Sequence, residues 1–350
     1  MGKIKIAIIG LGNCASSLIQ GLKYYSNHSD GLWHFKVGGY KVEDIELVAA
    51  FDVDPKKVGK DVIEAIGYNN APKKVELDRL NIEVKPGLIK DPLPLALREL
   101  KELKVNYESK IMDELKSNKV DLVLNCICSG MDETSKIYAG LSLDANCSFI
   151  NITPSRIAKD PLLAMNYENG KLCLVGDDLI SQLGGTAFHK GLMKLLNSRG
   201  LKVVKSYQLD VGGGPETLNT MDEELKMRKR EIKTKSIKKE LDYDINLTTG
   251  TTEYVEFMGN NRTSYFWIEA KGYLGSSVKI DIYLKTNDSE NAGNILLDVI
   301  RATKYAKDRE IYGAVNEICS YGFKDPPFPK GIEEAYQVFS SKFLTCEIDK

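Results

Sequence analysis

IKIAIIGLGNCASSLIQG, residues 4–21, opens the chain with an apolar run that passes directly into a Gly-x-Gly turn and then a helical stretch. Strand, glycine turn and helix in that order are how a dinucleotide-binding domain begins. Gly10 permits the tight turn after the strand, and Gly12 lets backbone approach a pyrophosphate closely. Small Ala15 stands where helix and strand pack together. The amides opening the helix, at Asn13 and Cys14, are then available to hold the phosphates. Many strand-to-helix turns need glycine for local geometry alone, so the motif gains its weight from context.

The next apolar strand, Ile45–Phe51, ends in Asp52. An acidic side chain at that tip is placed to accept hydrogen bonds from an adenosine ribose, which favours NAD over NADP because a carboxylate repels a 2′-phosphate. Lys56 and Lys57 follow closely and weaken that preference. Asp52 lies about forty residues beyond the glycines where roughly twenty is usual, so Tyr24–Asp44 reads as an insertion. The competing reading of Asp52 is an ordinary loop-entry or N-cap residue.

At 350 residues the chain can bury a substantial core and is expected to divide into two domains. With 48 basic and 49 acidic side chains and a net charge of −1, nothing at whole-chain level points to nucleic acid or a membrane surface. Any anion site is therefore local. The N-terminus enters a strand without a signal-peptide pattern and no apolar stretch reaches membrane-spanning length, so a cytoplasmic location is expected. The cysteines, at 14, 126, 128, 147, 173, 319 and 346, form no C-x-x-C pair or zinc-type spacing and read as reduced, mostly buried thiols. His28, His34 and His189 form no triad with a serine elbow and are expected to be structural.

Apolar runs at Ile4–Ile9, Ile45–Phe51, Val120–Cys126, Ser148–Asn151, Leu172–Val175 and Val203–Asp210 alternate with helical stretches, which predicts an α/β fold with a doubly wound, Rossmann-type parallel sheet. Leu95–Lys116 has a Lys/Glu-rich helical pattern. A second, α+β region is expected over 206–293, and the dinucleotide-binding domain over 1–205 plus about 294–350. The second region opens at the Gly212-Gly-Gly-Pro215 turn and the charged run Asp222–Asp244, then continues as strands at Phe266–Ala270 and Val278–Leu284. A helical stripe at Ile295, Val299, Ala302 and Ala306 predicts a helix that returns to the first domain.

At Gly10–Gly21, GDDLISQLGGTAFHKG (176–191) and NDSENAGNILLDVIRATKYAKDR (287–309), the chain resembles a myo-inositol-1-phosphate synthase of the prokaryotic type. GLWHFKVGGY, AAFDVDPKKVGKD, INITPSRIAKDP and YGFKDPP extend the resemblance in order nearly from end to end. The resemblance implies a redox-neutral isomerisation of D-glucose 6-phosphate to a 1L-myo-inositol phosphate. NAD would oxidise C5, enolisation at C6 would create a nucleophile, aldol addition to C1 would close the ring, and the inosose would be reduced. It also implies a homotetramer built on the second domain.

Enolate, alkoxide and phosphomonoester all need fixed positive charge, and lysines supply it. The run offers Lys229, Lys233, Lys235, Lys238 and Lys239. Matching Thr-Lys-Ser-Ile-Lys-Lys to the family's lysine-hydrophobic-lysine segment selects Lys235 and Lys239, four residues apart on one helical face. Without the resemblance, such a run reads as a solvated helix face. Lys271 and Lys324 resemble the other active-site lysines, and Asp298 the carboxylate among them. Asp298 interrupts an apolar helix face, so if buried it requires a partner, expected to be lysine.

Asp177 and Asp178, beside Ser181, resemble the segment by the nicotinamide, with a helix N-cap as the competing reading. Ser129 and Thr153 follow strands and would pass near the cofactor. Where the family usually has Asn, Asn and Asp, this chain has Asp210, Gly214 and Glu216, and Asp210 and Glu216 are candidate oxygen ligands for a divalent cation. Rival readings are an NAD-dependent dehydrogenase or cyclase acting on another sugar phosphate, and a non-catalytic NAD-binding regulator.

Overall fold

The computed structural model describes residues 2–67, 73, 75–100 and 108–344. The first layer system contains β1 (Ile4–Ile9), α1 (Asn13–Tyr25), β2 (Ile45–Asp52), α2 (Val62–Ile66), β3 (Val84–Pro86), α3 (Glu108–Ser117), β4 (Leu122–Asn125), α4 (Asp132–Asp144), β5 (Ser148–Asn151), α5 (Pro161–Asn169) and β6 (Cys173–Val175). The second contains α6 (Gly185–Ser198), β7 (Lys202–Gly212), α7 (Pro215–Asn219), α8 (Glu223–Lys238), β8 (Asn246–Tyr254), β9 (Asn261–Lys271) and β10 (Ser277–Asn287). The chain then returns through α9 (Asp288–Asp308), β11 (Gly313–Ala314), α10 (Asn316–Gly322) and α11 (Ile332–Phe343).

The first sheet is parallel, in the order β11-β6-β5-β4-β1-β2-β3. Its central strands are apolar and buried on both faces because helices cover both sides. Strand order reverses between β1 and β4. The loops after these neighbours, at Gly10 and at Cys126–Gly130, therefore flank the crevice in which open α/β sheets bind ligands. α9 packs along α1, and the expected stripe Ile295, Val299, Ala302 and Ala306 is buried.

The second sheet runs β10-β9-β7-β8, with β7 parallel to β8 and antiparallel to β9. Val203–Asp210 thus belongs here and not to the parallel sheet. β7 alternates buried and accessible residues, the signature of a sheet covered on one face only. It begins at Lys202, within the stretch ascribed to the first domain. α6 and α8 cover its inner face over Met193, Leu196, Ile237, Ile268 and Ala270. Tyr207, Tyr265, Trp267 and Tyr283 form an aromatic ladder on the outer face. The two short strands that complete the first sheet, β3 and β11, are too brief for a periodic signal.

In the Leu95–Lys116 stretch, Leu95–Leu97 is a 3-10 turn and α3 starts at Glu108. Residues 101–107, within that expected helix, lie outside the described residues, as does Cys346. The described cysteines are free thiols. No helix among the described residues is long and apolar enough to cross a membrane.

Candidate active site

The glycine turn is shaped for close approach. Gly10 has φ +88°, and a Cβ there would lie 2.8 Å from the Cys126 carbonyl oxygen. Its amide donates to Phe51 O at 2.8 Å. A Cβ on Gly12 meets nothing within 4 Å. Gly12 is the N-cap of α1, with no side-chain cap and no acidic residue in the first turn. Those features fit a pyrophosphate at the amides of Asn13–Ala15, and buried Ala15 lets the helix sit on the sheet.

Asp52 departs from its expected role. Its Oδ2 accepts from the Leu11 amide at 2.7 Å, and its Oδ1 accepts from the Val53 and Asp54 amides at 2.8 and 2.9 Å. Lys57 Nζ lies 3.4 Å from Oδ2 and donates to Leu11 O at 2.8 Å. A carboxylate has about four acceptor positions, and these partners fill them. Asp52 therefore ties the glycine turn to β2.

At the same sheet edge lies a concentration of buried charge. Lys229, one turn before Lys233 on α8, pairs with Glu216, which also accepts from the Ser129 hydroxyl. Lys233 donates to Asp210 Oδ2 at 2.7 Å, and its side chain is only 7 % exposed. Arg262 pairs with Asp288 at 2.7 Å and reaches the Thr217 hydroxyl at 3.3 Å. Lys324 donates to Asp178 Oδ1 at 2.6 Å.

These pairs act on one another. Burial pushes the Asp178 carboxyl upward, but Lys324, Lys229 and Lys233 together hold it below the ordinary carboxylate range. Burial lowers the proton affinity of Lys233, Asp210 opposes that effect, and Arg262 and Lys324 reinforce it. Asp178 Oδ2 is buried without a hydrogen-bond partner among the described residues. An orphaned carboxylate oxygen amid cations fits a hydroxylated, anionic ligand that donates to it.

Of the lysines expected here, Lys324 belongs to this cluster. Lys235 is on the other face of α8, 70 % exposed and paired with Glu231 one turn back; Lys239 is exposed at the helix C-cap. The buried residues of α8 are Leu225, Ile232, Lys233, Ser236 and Ile237. That apolar stripe, readable in the sequence, carries Lys229 and Lys233 inward and turns Lys235 and Lys239 out. Lys271 is exposed at the far end of β9 beside Glu269, about 30 Å of extended strand from Arg262. Arg262 shares the inward parity of buried Ser264, Phe266, Ile268 and Ala270.

Asp298 is buried but has no lysine partner among the described residues. Arg301 donates to its Oδ1 at 2.7 Å, while His34 Nδ1 and the Tyr321 hydroxyl lie 2.7 and 2.6 Å from Oδ2. The requirement for a partner was legible; the partner was not.

Asp177 binds loop backbone rather than capping a helix, accepting from the amides of Ile157, Ala158 and Lys159 and from Asn151 Nδ2. Burial pushes its carboxyl up to about 7. Thr153 supports Asp178 by accepting its amide at 2.8 Å, and Ser181 packs 3.0 Å below a Cβ position of Gly184. Asp210 and Glu216 have lysines as counter-ions. No group of three or more His, Cys, Asp or Glu arranged to hold a metal occurs among the described residues, so the divalent-ion site expected there has no support.

A sequence profile described as myo-inositol-1-phosphate synthase matches residues 184–289, the span from α6 to the start of α9. The inositol-3-phosphate synthase of Mycolicibacterium smegmatis is 34 % identical over 340 residues, covering 93 % of this chain and 94 % of that protein. The chain belongs to the inositol-phosphate synthase family. The inositol-3-phosphate synthase of Corynebacterium glutamicum is also 34 % identical, over 93 % of each chain. A myo-inositol-1-phosphate synthase-related protein from Thermotoga maritima superposes with a TM-score of 0.82 at 22 % identity, covering 97 % of this chain and 98 % of that one, and shares the fold. The family is the one indicated by the ordered segments from Gly10 to Pro327.

Proposed function

We propose that this protein converts D-glucose 6-phosphate to 1L-myo-inositol 1-phosphate in an NAD-dependent, redox-neutral isomerisation. The observation that carries the reading is the cluster of Lys229, Lys233, Arg262 and Lys324 around the orphaned Asp178 oxygen, at the sheet edge that bears the glycine turn. Bound NAD supplies the hydride acceptor and, at the end, the donor, so the sugar leaves with no net oxidation. The turn at Gly10–Gly12 and the open first turn of α1 hold its pyrophosphate.

The remaining work falls to side chains. A phosphomonoester brings close to two negative charges, and an enolate or aldol alkoxide adds another in the transition state. Preorganised cations stabilise such charge more in a buried site than in water. Their carboxylate partners keep the empty cluster near neutrality and fix the ammonium groups in place. Lys233, whose hold on its proton is weakened by burial, is suited to move a proton to and from the sugar. Asp178 accepts from a sugar hydroxyl.

The uncovered aromatic face of the second sheet, with Tyr283 72 % and Leu209 37 % exposed, supports assembly into a homotetramer. Incubation with glucose 6-phosphate and catalytic NAD⁺, followed by phosphorus NMR, tests the reaction. Inositol phosphate without net NADH is expected. NADH release would identify a dehydrogenase instead, and binding of NAD with no product a regulator or an enzyme for another sugar phosphate.

A further inference from the structure

Asp210 sits at the inner end of a buried hydrogen-bond chain that starts well away from the substrate cleft. Besides Lys233, it accepts from Ser264 Oγ at 2.7 Å, and Gln208 Nε2 lies 2.8 and 3.0 Å from its two oxygens. The amide orientation of Gln208 is thereby settled, since its carbonyl oxygen would be repelled by the carboxylate. Gln208 Oε1 faces away, 3.2 Å from His189 Nδ1. That oxygen needs a donor, so Nδ1 carries the imidazole hydrogen. With Nδ1 protonated, His189 Nε2 accepts from the Ser206 hydroxyl at 2.9 Å, so the one hydrogen of that hydroxyl turns to the imidazole and away from the Trp267 carbonyl, also 2.9 Å from it. His189 and Gln208 are wholly buried, and a Cβ on Gly185 would lie 2.3 Å from Gln208 Nε2. Burial pushes the His189 imidazolium down to about 4, against the pull of Gln208 and Asp210.

We propose that His189 and Gln208 are positioning residues for the Lys233–Asp210 pair: the Nδ1–H tautomer of His189 locks the Gln208 amide, and the locked NH2 shares Asp210 with the Lys233 ammonium. The inference rests on Lys233 belonging to the reaction centre. Every competing donor on Asp210 weakens its grip on Lys233, so the chain sets how readily that lysine releases its proton. The other charges acting on Lys233 are Arg262 from β9 and Lys324 beyond α10, and Lys233 in turn acts on Asp178 from the loop after β6. Lys190, next to His189, is turned away onto Glu240 at 3.3 Å.

Three measurements on the full-length, NAD-loaded protein test this. Nitrogen-15 NMR of histidine should show His189 neutral and protonated on Nδ1 from pH 5.5 to 9; an Nε2–H tautomer, or a cation at neutral pH, overturns the proposal. Carbon-13 NMR of ε-labelled lysine then follows Lys233 in variants and needs no turnover. His189→Leu and Gln208→Met should raise its titration midpoint by roughly half a pH unit or more, whereas His189→Asn, which keeps an NH2 near the Nδ1 position, should stay close to the parent. An unchanged midpoint in the folded Leu or Met variant overturns the proposal, with NAD affinity reporting folding. In the isomerase assay, the same two variants should lose roughly tenfold or more in kcat at neutral pH with little change in KM, and the Asn variant should recover most of it; a kcat and pH profile equal to the parent overturn the proposal. Lack of isomerase activity in the parent with the midpoint shift present would break the functional reading and leave the positioning role standing.

Discussion

Two buried charge networks lie a few helical turns apart and are built differently. Around Asp298, a single carboxylate is enclosed by Arg301, His34 and Tyr321, while Arg301 donates onward to the Leu297, His34 and Phe35 carbonyls. This network faces the apolar interior, and the stacked rings of Tyr321 and Phe339, 3.8 Å apart, close over it. Around Asp178, cations and carboxylates alternate across α8, β7, β9 and two loops, with one oxygen unpaired. The first network fastens His34 and Phe35, within the Tyr24–Asp44 stretch, and Tyr321 of α10 to α9. The second is held in readiness for charge that arrives with a ligand. Burial of a carboxylate does not by itself mark a reaction centre, and neither does one orphaned polar atom, since His34 Nε2 in the first network is also buried without a partner among the described residues; four cations gathered on four carboxylates from separate elements, with a carboxylate oxygen left over, distinguish the second.

The comparison breaks most sharply at Lys233. Lys233→Met should lower turnover by roughly 10²–10⁴-fold while NAD affinity, measured by calorimetry, stays near that of the parent; activity within tenfold would remove the Asp178–Asp210 network from the chemistry. Asp298→Ala should act on stability instead. Leaving Arg301 buried and uncompensated costs about 3–5 kcal/mol, seen as an earlier urea midpoint, and a midpoint like the parent's would mean the enclosed network does not fasten the fold.

A smaller effect separates the networks by pH. The His189 pKa is depressed in the folded state to about 4 from an ordinary value of about 6.5, so the unfolded chain binds the extra proton more readily. Stability from this source is complete above about pH 6.5 and declines as pH falls toward 4. Between pH 7.5 and 5 it should amount to about 2 kcal/mol, and His189→Asn should flatten that slope in urea titrations at the two pH values. The smallest effect is expected on the outer face of α8. Lys235→Ala and Lys239→Ala should change stability by less than about 0.5 kcal/mol and leave steady-state turnover essentially unaltered; a large loss in either would return the reaction centre to the exposed face.

Much of the molecule follows from local patterns. The strand–glycine–helix opening at 4–21, the continuous apolar strands and the stripe of α9 each obey a short period, so one element at a time can be read from one stretch of chain. Lys324 is indicated by YGFKDPP only through the family resemblance, and the fold brings it to Asp178. Val203–Asp210 shows the limit of counting strands: its apolar content matched the parallel series, but its alternation belongs to a sheet covered on one face. The lysines of α8 show a similar limit: Ile237 between lysines points to Lys235 and Lys239, whereas the wider stripe Leu225, Ile232 and Ile237 turns Lys229 and Lys233 inward.

The sequence by itself determined the family, the glycine turn, the parallel sheet and the need of Asp298 for a partner, because each depends on residues close together in the chain or on the cost of burying an unpaired charge. Only the tertiary structure decided that this partner is Arg301, that Asp52 spends its oxygens on the Leu11, Val53 and Asp54 amides, and that Lys229, Lys233, Arg262 and Lys324 come within electrostatic reach of one another. Those choices depend on which faces of α8, β7 and β9 are brought together. Electrostatic interaction falls off with distance and with exposure to solvent, so the chemistry belongs to the charges that the packing of separate elements places side by side and shields from water.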